Sequence, residues 1–165
     1  MSRSNESPGD RLRVLWRRLS PLPAGRWLFS RLLGLMVPYS GTIRPTVTTL
    51  EPGHVRVRLR DRRRVRNHLR SVHAIALANL GELSTGLALI GALGPEARGI
   101  LTGIDVRYLK KARGTLEAEA RCDVPTVTES IDREVRADVR DQAGDVVATV
   151  TAHWRLGPTG PEKPK

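Results

Sequence analysis

The residues best placed to do chemistry lie within one stretch, 67–82, which reads NHLRSVHAIALANLGE. It has the character of the entrance and first turns of a helix that is apolar on nearly every side, with a carboxylate, Glu82, in its body. A helix apolar all round belongs in a core, and an ionisable group taken there without a partner is costly. Glu82 therefore needs either a structural partner or a chemical task. An apolar setting raises a carboxylate's pKa, which suits a base working near neutrality.

The elements that must position this acid follow from periodicity. The polar residues through Gly9 read as a disordered N-terminus, and Asp10 as the cap of a helix over 11–19 with Leu12, Leu15, Trp16 and Leu19 on one face. Pro21 and Pro23 break it, and a second helix over about 24–36 presents Trp27, Leu28, Leu32 and Leu35 at helical spacing before Pro38-Tyr39-Ser40-Gly41 ends it. This helical extension, residues 10–38, either caps the domain or lies on a bilayer; its short polar faces, not densely basic, favour capping. A strand over 42–50 and a turn at Glu51-Pro52-Gly53-His54 lead to a second strand. There Val55, Val57 and Leu59 alternate with Arg56, Arg58 and Arg60, an arginine comb on the solvent face of a half-covered sheet.

The buried helix runs over about 71–90, with Ser71 as its cap and Gly91 and Gly94-Pro95 at its end. Four strands follow. The first, over 100–109, has Ile104, Val106 and Tyr108 inward; the second, over 116–124, has Leu116, Ala118, Ala120 and Cys122 inward. The third covers 131–141, and a turn at Gln142-Ala143-Gly144-Asp145 leads into the last, over 146–156. From Gly157 onward the chain reads as a disordered tail. Strands with one apolar face form an antiparallel sheet covering something on one side, and the single apolar helix is that something. The fold class is α+β: an antiparallel sheet wrapped around one long central helix over 42–156.

Composition narrows the function classes. The 165 residues suffice for one domain with an aliphatic core, since aromatics make up only 4%. One cysteine, Cys122, excludes an internal disulfide framework and fits a reducing, cytoplasmic setting. Four dispersed histidines leave no zinc-type ligand cluster, so no metal site is expected. The N-terminal apolar run over 32–39 is too short to span a bilayer, and Arg26 and Arg31 argue against a secretory signal. A formal charge of +11 attracts anions without naming one: nucleic acid, an anionic membrane or a phosphorylated small molecule, or simply a solvated arginine-rich surface. No aromatic stacking pattern or nucleic-acid motif accompanies it, so nucleic acid is not expected as a partner.

Asn67, His73 and Glu82, with a small residue at Ala74, resemble the pattern of hotdog-fold acyl-CoA thioesterases of the phenylacetate-pathway type. That pattern is a loop asparagine, a His-Gly pair opening the central helix, and an acid nine positions after the histidine. The wording NHLRSVHAIALANLGELSTG followed by TGIDVRYLKKARGTLEAEA is similar to an uncharacterised, thioesterase-like bacterial branch of the superfamily, DUF4442. The resemblance covers about 12–156. It departs at Ala74, where the family has glycine; the backbone N–H remains as a donor, but the methyl group crowds an approaching thioester oxygen.

The resemblance implies a hotdog fold, at least a homodimer or homotetramer, and a thioester hydrolase of acyl-CoA with no resident cofactor, coenzyme A being part of the substrate. It implies that Glu82 acts as general base toward water or attacks the carbonyl itself. The unpaired donors of the helix's first turn, including the Ala74 N–H, would then hold the developing oxyanion. Asn67 would position water or carbonyl, and His73 would orient the helix entrance. Lys110, Lys111 and Arg113 are candidates for the coenzyme A phosphates. Each has a structural alternative. Glu82 can pair with an arginine across a dimer interface, and Asn67 can be a turn former. His73 can be a hydrogen-bonded, partly buried residue, Asn79 can orient the Glu82 carboxylate, Lys110 and Lys111 can be exposed hairpin cations, and Cys122 is core. A further rival for the function is an acyl-CoA-binding module of the same fold that does not cleave.

Overall fold

A computed structural model describes residues 7–123 and 126–159. Its helices are α1 (Pro8–Leu19), α2 (Gly25–Met36), α3 (Pro38–Gly41) and α4 (Ala74–Ala92). Its strands are β1 (Thr46–Glu51), β2 (His54–Leu59), β3 (Ala97–Tyr108), β4 (Leu116–Arg121), β5 (Ile131–Arg140) and β6 (Val146–Pro158), with a short 3-10 turn at Arg63–Val65 before α4. All six strands form one antiparallel sheet in the order β1-β2-β4-β5-β6-β3. Helix α4 packs against every one of them. This is the expected hotdog arrangement.

The sheet curls around α4 because its inward positions are small or branched. Val55, Val57 and Leu59 of β2, Ala118 and Ala120 of β4 and Val150 and Ala152 of β6 are all withdrawn from solvent with the α4 side chains Leu80, Ala88 and Leu89. Each buried Leu or Val is worth about 1.5–3 kcal/mol. Gly81 makes the closest approach possible: a Cβ built there would lie 2.2 Å from Val150 Cγ2. On the other face the arginine comb is solvent-side, with Arg56 Nε 3.2 Å from Glu119 and Arg58 3.5 Å from Glu117, its register partners on β4.

The N-terminal helices differ from the sequence expectation in two ways. Ser7, not Asp10, caps α1: Ser7 Oγ accepts from the Asp10 N–H at 3.0 Å, and Asp10 Oδ2 accepts from the Ser7 N–H at 3.1 Å, a reciprocal capping box. Residues 7–9 are therefore part of the helix start, while the rest of the expected disordered N-terminus, 1–6, lies outside the described residues. Gly9 lets α1 sit on the end of α4, where an added Cβ would meet the Ile90 carbonyl at 2.1 Å, and Arg13 donates to the Gly91 carbonyl. The second difference is the face that α2 buries. Phe29, Ser30 and Leu33 turn inward, and of the stripe Trp27, Leu28, Leu32 and Leu35 all but the half-buried Leu32 face out. Phe29 wins the core because it meets Trp16 of α1 edge-to-face at 5.1 Å. Ser30 Oγ accepts from the Val47 N–H at 2.9 Å, tying α2 to β1.

Toward the C-terminus β6 runs on through Gly157 and Pro158, and Thr159 donates its N–H to the Glu96 carbonyl at 2.8 Å. Those residues are thus ordered, where a disordered tail is expected from the sequence; 160–165 lie outside the described residues. Strand β4 ends at Arg121, short of the expected 124; position 124 is also outside the described residues. Cys122 is half-buried against both parts of the core, and burial, aided by Asp123, pushes its thiol up to about 11.

Candidate active site

Helix α4 begins two residues later than its sequence suggests, and a different side chain caps it. His73 is the N-cap: its Nδ1 accepts from the Ile75 N–H at 3.1 Å. Ser71, two residues earlier, is buried and gives its Oγ hydrogen to Asn67 Oδ1 at 3.1 Å. Asn67 Oδ1 also accepts the N–H groups of Leu69 at 2.9 Å and Ser71 at 3.2 Å, and the Asn67 N–H donates to the Ser71 carbonyl at 2.8 Å. Its side-chain oxygen is thereby spent on the turn, in which Arg70 adopts a left-handed backbone with φ 55°. The amide oxygen of Asn67 holds the loop, while its Nδ2 group has no hydrogen-bond partner among the described residues.

A cleft of about 280 Å³ lies beside this loop, lined by Asn67, Ala74, Leu77, Tyr108, Lys110 and Lys111 among others. The Ala74 N–H, first in α4, has no hydrogen-bond partner among the described residues. Tyr108, from the end of β3, donates its hydroxyl to the Ala74 carbonyl at 3.1 Å. The cleft therefore joins a free helix N-terminal donor, where partial positive charge collects, to two lysines. Lys110 is not a free cation: its Nζ sits 2.8 Å from Asp141 and 2.6 Å from Asp145, and those carboxylates hold it charged, above its ordinary pKa. Lys111 and Arg113 are exposed.

Glu82 is elsewhere on the same helix. Ala74, Ala78 and Glu82 fall at i, i+4 and i+8, and together with exposed Ile75 they form the one stripe in the N-terminal half of α4 that the protein leaves partly open. Burial raises the Glu82 pKa, and among the described residues no hydrogen bond or ion pair reaches its carboxylate. Asn79 does not orient it; the Asn79 amide turns away and donates to the Tyr39 carbonyl of α3 at 3.4 Å. The space beside the acid comes from Gly86. A Cβ built there would lie 3.9 Å from Glu82 Oε1 and 3.5 Å from the Trp154 ring, so the missing methyl leaves room between carboxylate and indole. Eight residues at 1.5 Å per residue separate Ala74 from Glu82, roughly 12 Å along the axis. Within one chain the donor and the acid do not meet.

Sequence reasoning missed Tyr108, Gly86 and Trp154 as site residues. Gly86 was legible, since a residue four places after an acid shares its helix face. Trp154 was not, because its approach depends on how β6 crosses α4. Among the described residues no three His, Cys, Asp or Glu side chains converge as a metal site.

A model of a domain of unknown function, DUF4442, matches residues 25–156. The chain belongs to this family. Several solved structures share its fold. The chain is 28% identical to a structural-genomics protein, APC5556, with a TM-score of 0.76 over 88% of this chain and 97% of that one. It is 26% identical to PA5026 of Pseudomonas aeruginosa, described as a probable thioesterase, with a TM-score of 0.69 over 83% and 97% of the two chains. At 23% identity and a TM-score of 0.58, over 72% and 91%, it shares the fold of smu.793 from Streptococcus mutans, a protein crystallised with acetyl-CoA. No curated protein matches. The hotdog fold of this chain is thus shared with solved proteins that include one named as a probable thioesterase.

Proposed function

We propose that this DUF4442 protein is a thioester hydrolase of acyl-CoA or a related acyl thioester, working as a homodimer. The observation that carries the reading is Glu82: a half-buried carboxylate with no partner among the described residues, one turn from the methyl-sized space at Gly86, on the partly open stripe of the core helix. Thioesterase names among fold neighbours and one neighbour's bound acetyl-CoA support the substrate class. The separation of roughly 12 Å between Ala74 and Glu82 supports the dimer. Two α4 helices packed antiparallel along their exposed stripes would set Glu82 of one copy near the first turn of the other. The Ala74 N–H would then receive the oxyanion, while Glu82 takes a proton from water or attacks the carbonyl carbon. Lys111 and Arg113, rather than the doubly paired Lys110, are the cations for the coenzyme A phosphates. A single cysteine and a cytosolic substrate class fit a cytoplasmic setting.

Thiol release from a panel of acyl-CoAs tests the reading. Glu82→Gln is expected to lower kcat/KM by about 10²–10⁴-fold. The acidic limb of the rate profile should lie above the range of an exposed glutamate, because activity appears only as pH rises through the raised Glu82 pKa. The Ala74 methyl favours one second reading, a module that holds acyl-CoA without cleaving it. Tight binding by the native chain with no thiol release would establish that module and end the hydrolase proposal.

A further inference from the structure

Helix α2 is apolar on two faces, and the core covers only one. Trp27 is 57% exposed, Leu35 76%, and Tyr39 of α3 71%, with Leu28, Met36 and Val37 open beside them. Trp27, Arg31 and Leu35 fall at i, i+4 and i+8, so a guanidinium interrupts the apolar stripe. On α2 and just after α3 the charged residues are Arg26, Arg31 and Arg44, all basic. Arg62 reaches back to this surface, its Nη2 donating to the carbonyls of Ile43 at 2.6 Å and Arg44 at 3.2 Å. Its Nε–H, like that of Arg31, is shut away from solvent without a partner. Burial, then the positive charges of Arg44, Arg31, Arg60 and Arg64, hold Arg62 below the usual guanidinium pKa. Such crowding of like charge is unfavourable unless an anion joins it.

We propose that the outer face of α2 and α3, rimmed by Arg31, Arg44, Arg62 and Arg64, docks the protein on an anionic lipid bilayer. Trp27, Leu28, Leu35, Met36 and Tyr39 enter the interfacial zone, and the guanidinium groups pair with lipid phosphates. Charge complementarity selects this occupant over a second copy. A two-fold contact through the same patch would press one arginine cluster against its twin with no carboxylate between them. The patch also lies at the β1 side of the sheet, where α2 packs, opposite the β3 edge. The proposal stands independently of the hydrolase reading.

Sedimentation of the full chain with vesicles tests it, comparing equimolar phosphatidylglycerol and phosphatidylcholine with phosphatidylcholine alone. Of the three tryptophans, Trp154 is buried and Trp16 packs on Phe29, so a blue shift on vesicle addition reports Trp27. The expected result is a shift and co-sedimentation with the anionic vesicles, weakened about tenfold between about 0.1 and about 0.5 M NaCl. Leu35→Glu, at an exposed site, should weaken binding about tenfold or more with an unchanged thermal melt. Equal partition to neutral vesicles, no Trp27 shift, or a Leu35→Glu effect on oligomeric state in place of vesicle binding would each overturn it.

Discussion

Glu82 and Gly86 form a pair in which one residue supplies charge and the next turn supplies emptiness. A Cβ at Gly86 would make only ordinary contacts, 3.5 Å to Trp154 and 3.9 Å to Glu82. Gly86→Ala should therefore fold, gaining up to about 1 kcal/mol from helix propensity, while filling the space an acyl group would use. Thermal melts should show equal or higher stability, and kcat/KM should fall about tenfold for acyl-CoAs with KM taking most of the change. An unchanged KM across chain lengths would remove this opening from the substrate path. The Asn67 side-chain oxygen and Lys110 show the opposite case, polar groups already engaged by the fold: one by the turn it closes, the other by Asp141 and Asp145.

At the scale of elements, α4 is held by close approach at its middle and by caps at its ends. Gly81 allows the helix axis to come within reach of β6, because an added Cβ would lie 2.4 Å from Val150 Cβ and 2.2 Å from its Cγ2. The Cβ of a valine cannot swing aside, so Gly81→Ala must push helix and sheet apart, at about 1–3 kcal/mol. That lowers Tm by about 2–4 °C for each kcal/mol in a chain of this size. Combining it with Val150→Gly, which removes that Cβ along with both methyl groups, should recover part of the loss. If the double variant melts no higher than Gly81→Ala alone, the Gly81–Val150 approach is not what sets the packing. The imidazole cap is the other local device: His73 satisfies a first-turn N–H that most helices leave to serine, threonine, aspartate or asparagine.

Across the whole molecule the two sheet edges are treated differently. The β1 edge is covered by α2, with Ser30 accepting a β1 N–H. The β3 edge is a 12-residue strand open along its length, with Ile104 and Tyr108 partly exposed on the side facing α4. Natural proteins rarely leave so long an edge unpaired. Ile104→Arg is thus expected to convert a dimer to monomers in size exclusion with light scattering, and hydrolysis should fall about a hundredfold with it as donor and acid are separated. A dimer that survives the substitution, still active, would rule out β3 as the contact. The surface charge is likewise uneven, ion-paired on the β2–β4 face and unrelieved around Arg62.

Period-two alternation in β2, β4 and β5 and the apolar run of α4 made the sheet, the central helix and its lone acid legible in the sequence, because a half-buried strand repeats every two residues and a helix apolar all round must be covered. The stripe on α2 misled, since Trp27, Leu28 and Leu35 keep helical spacing whether they meet a core or not. Periodicity reports that a face is apolar, not what covers it. Which face α2 buries was decided by Phe29 meeting Trp16, whereas the caps of α1 and α4 are local, Ser7 with Asp10 and His73 with Ile75. The candidate site divides in the same way. Residue types and interval pointed to Glu82, Asn67 and His73, but whether a polar atom is free or engaged is set by neighbours distant in the chain. Only the packed structure shows Lys110 clamped by the β5–β6 turn, Asn79 turned toward α3, and Trp154 meeting α4 at Gly86, one turn from the acid.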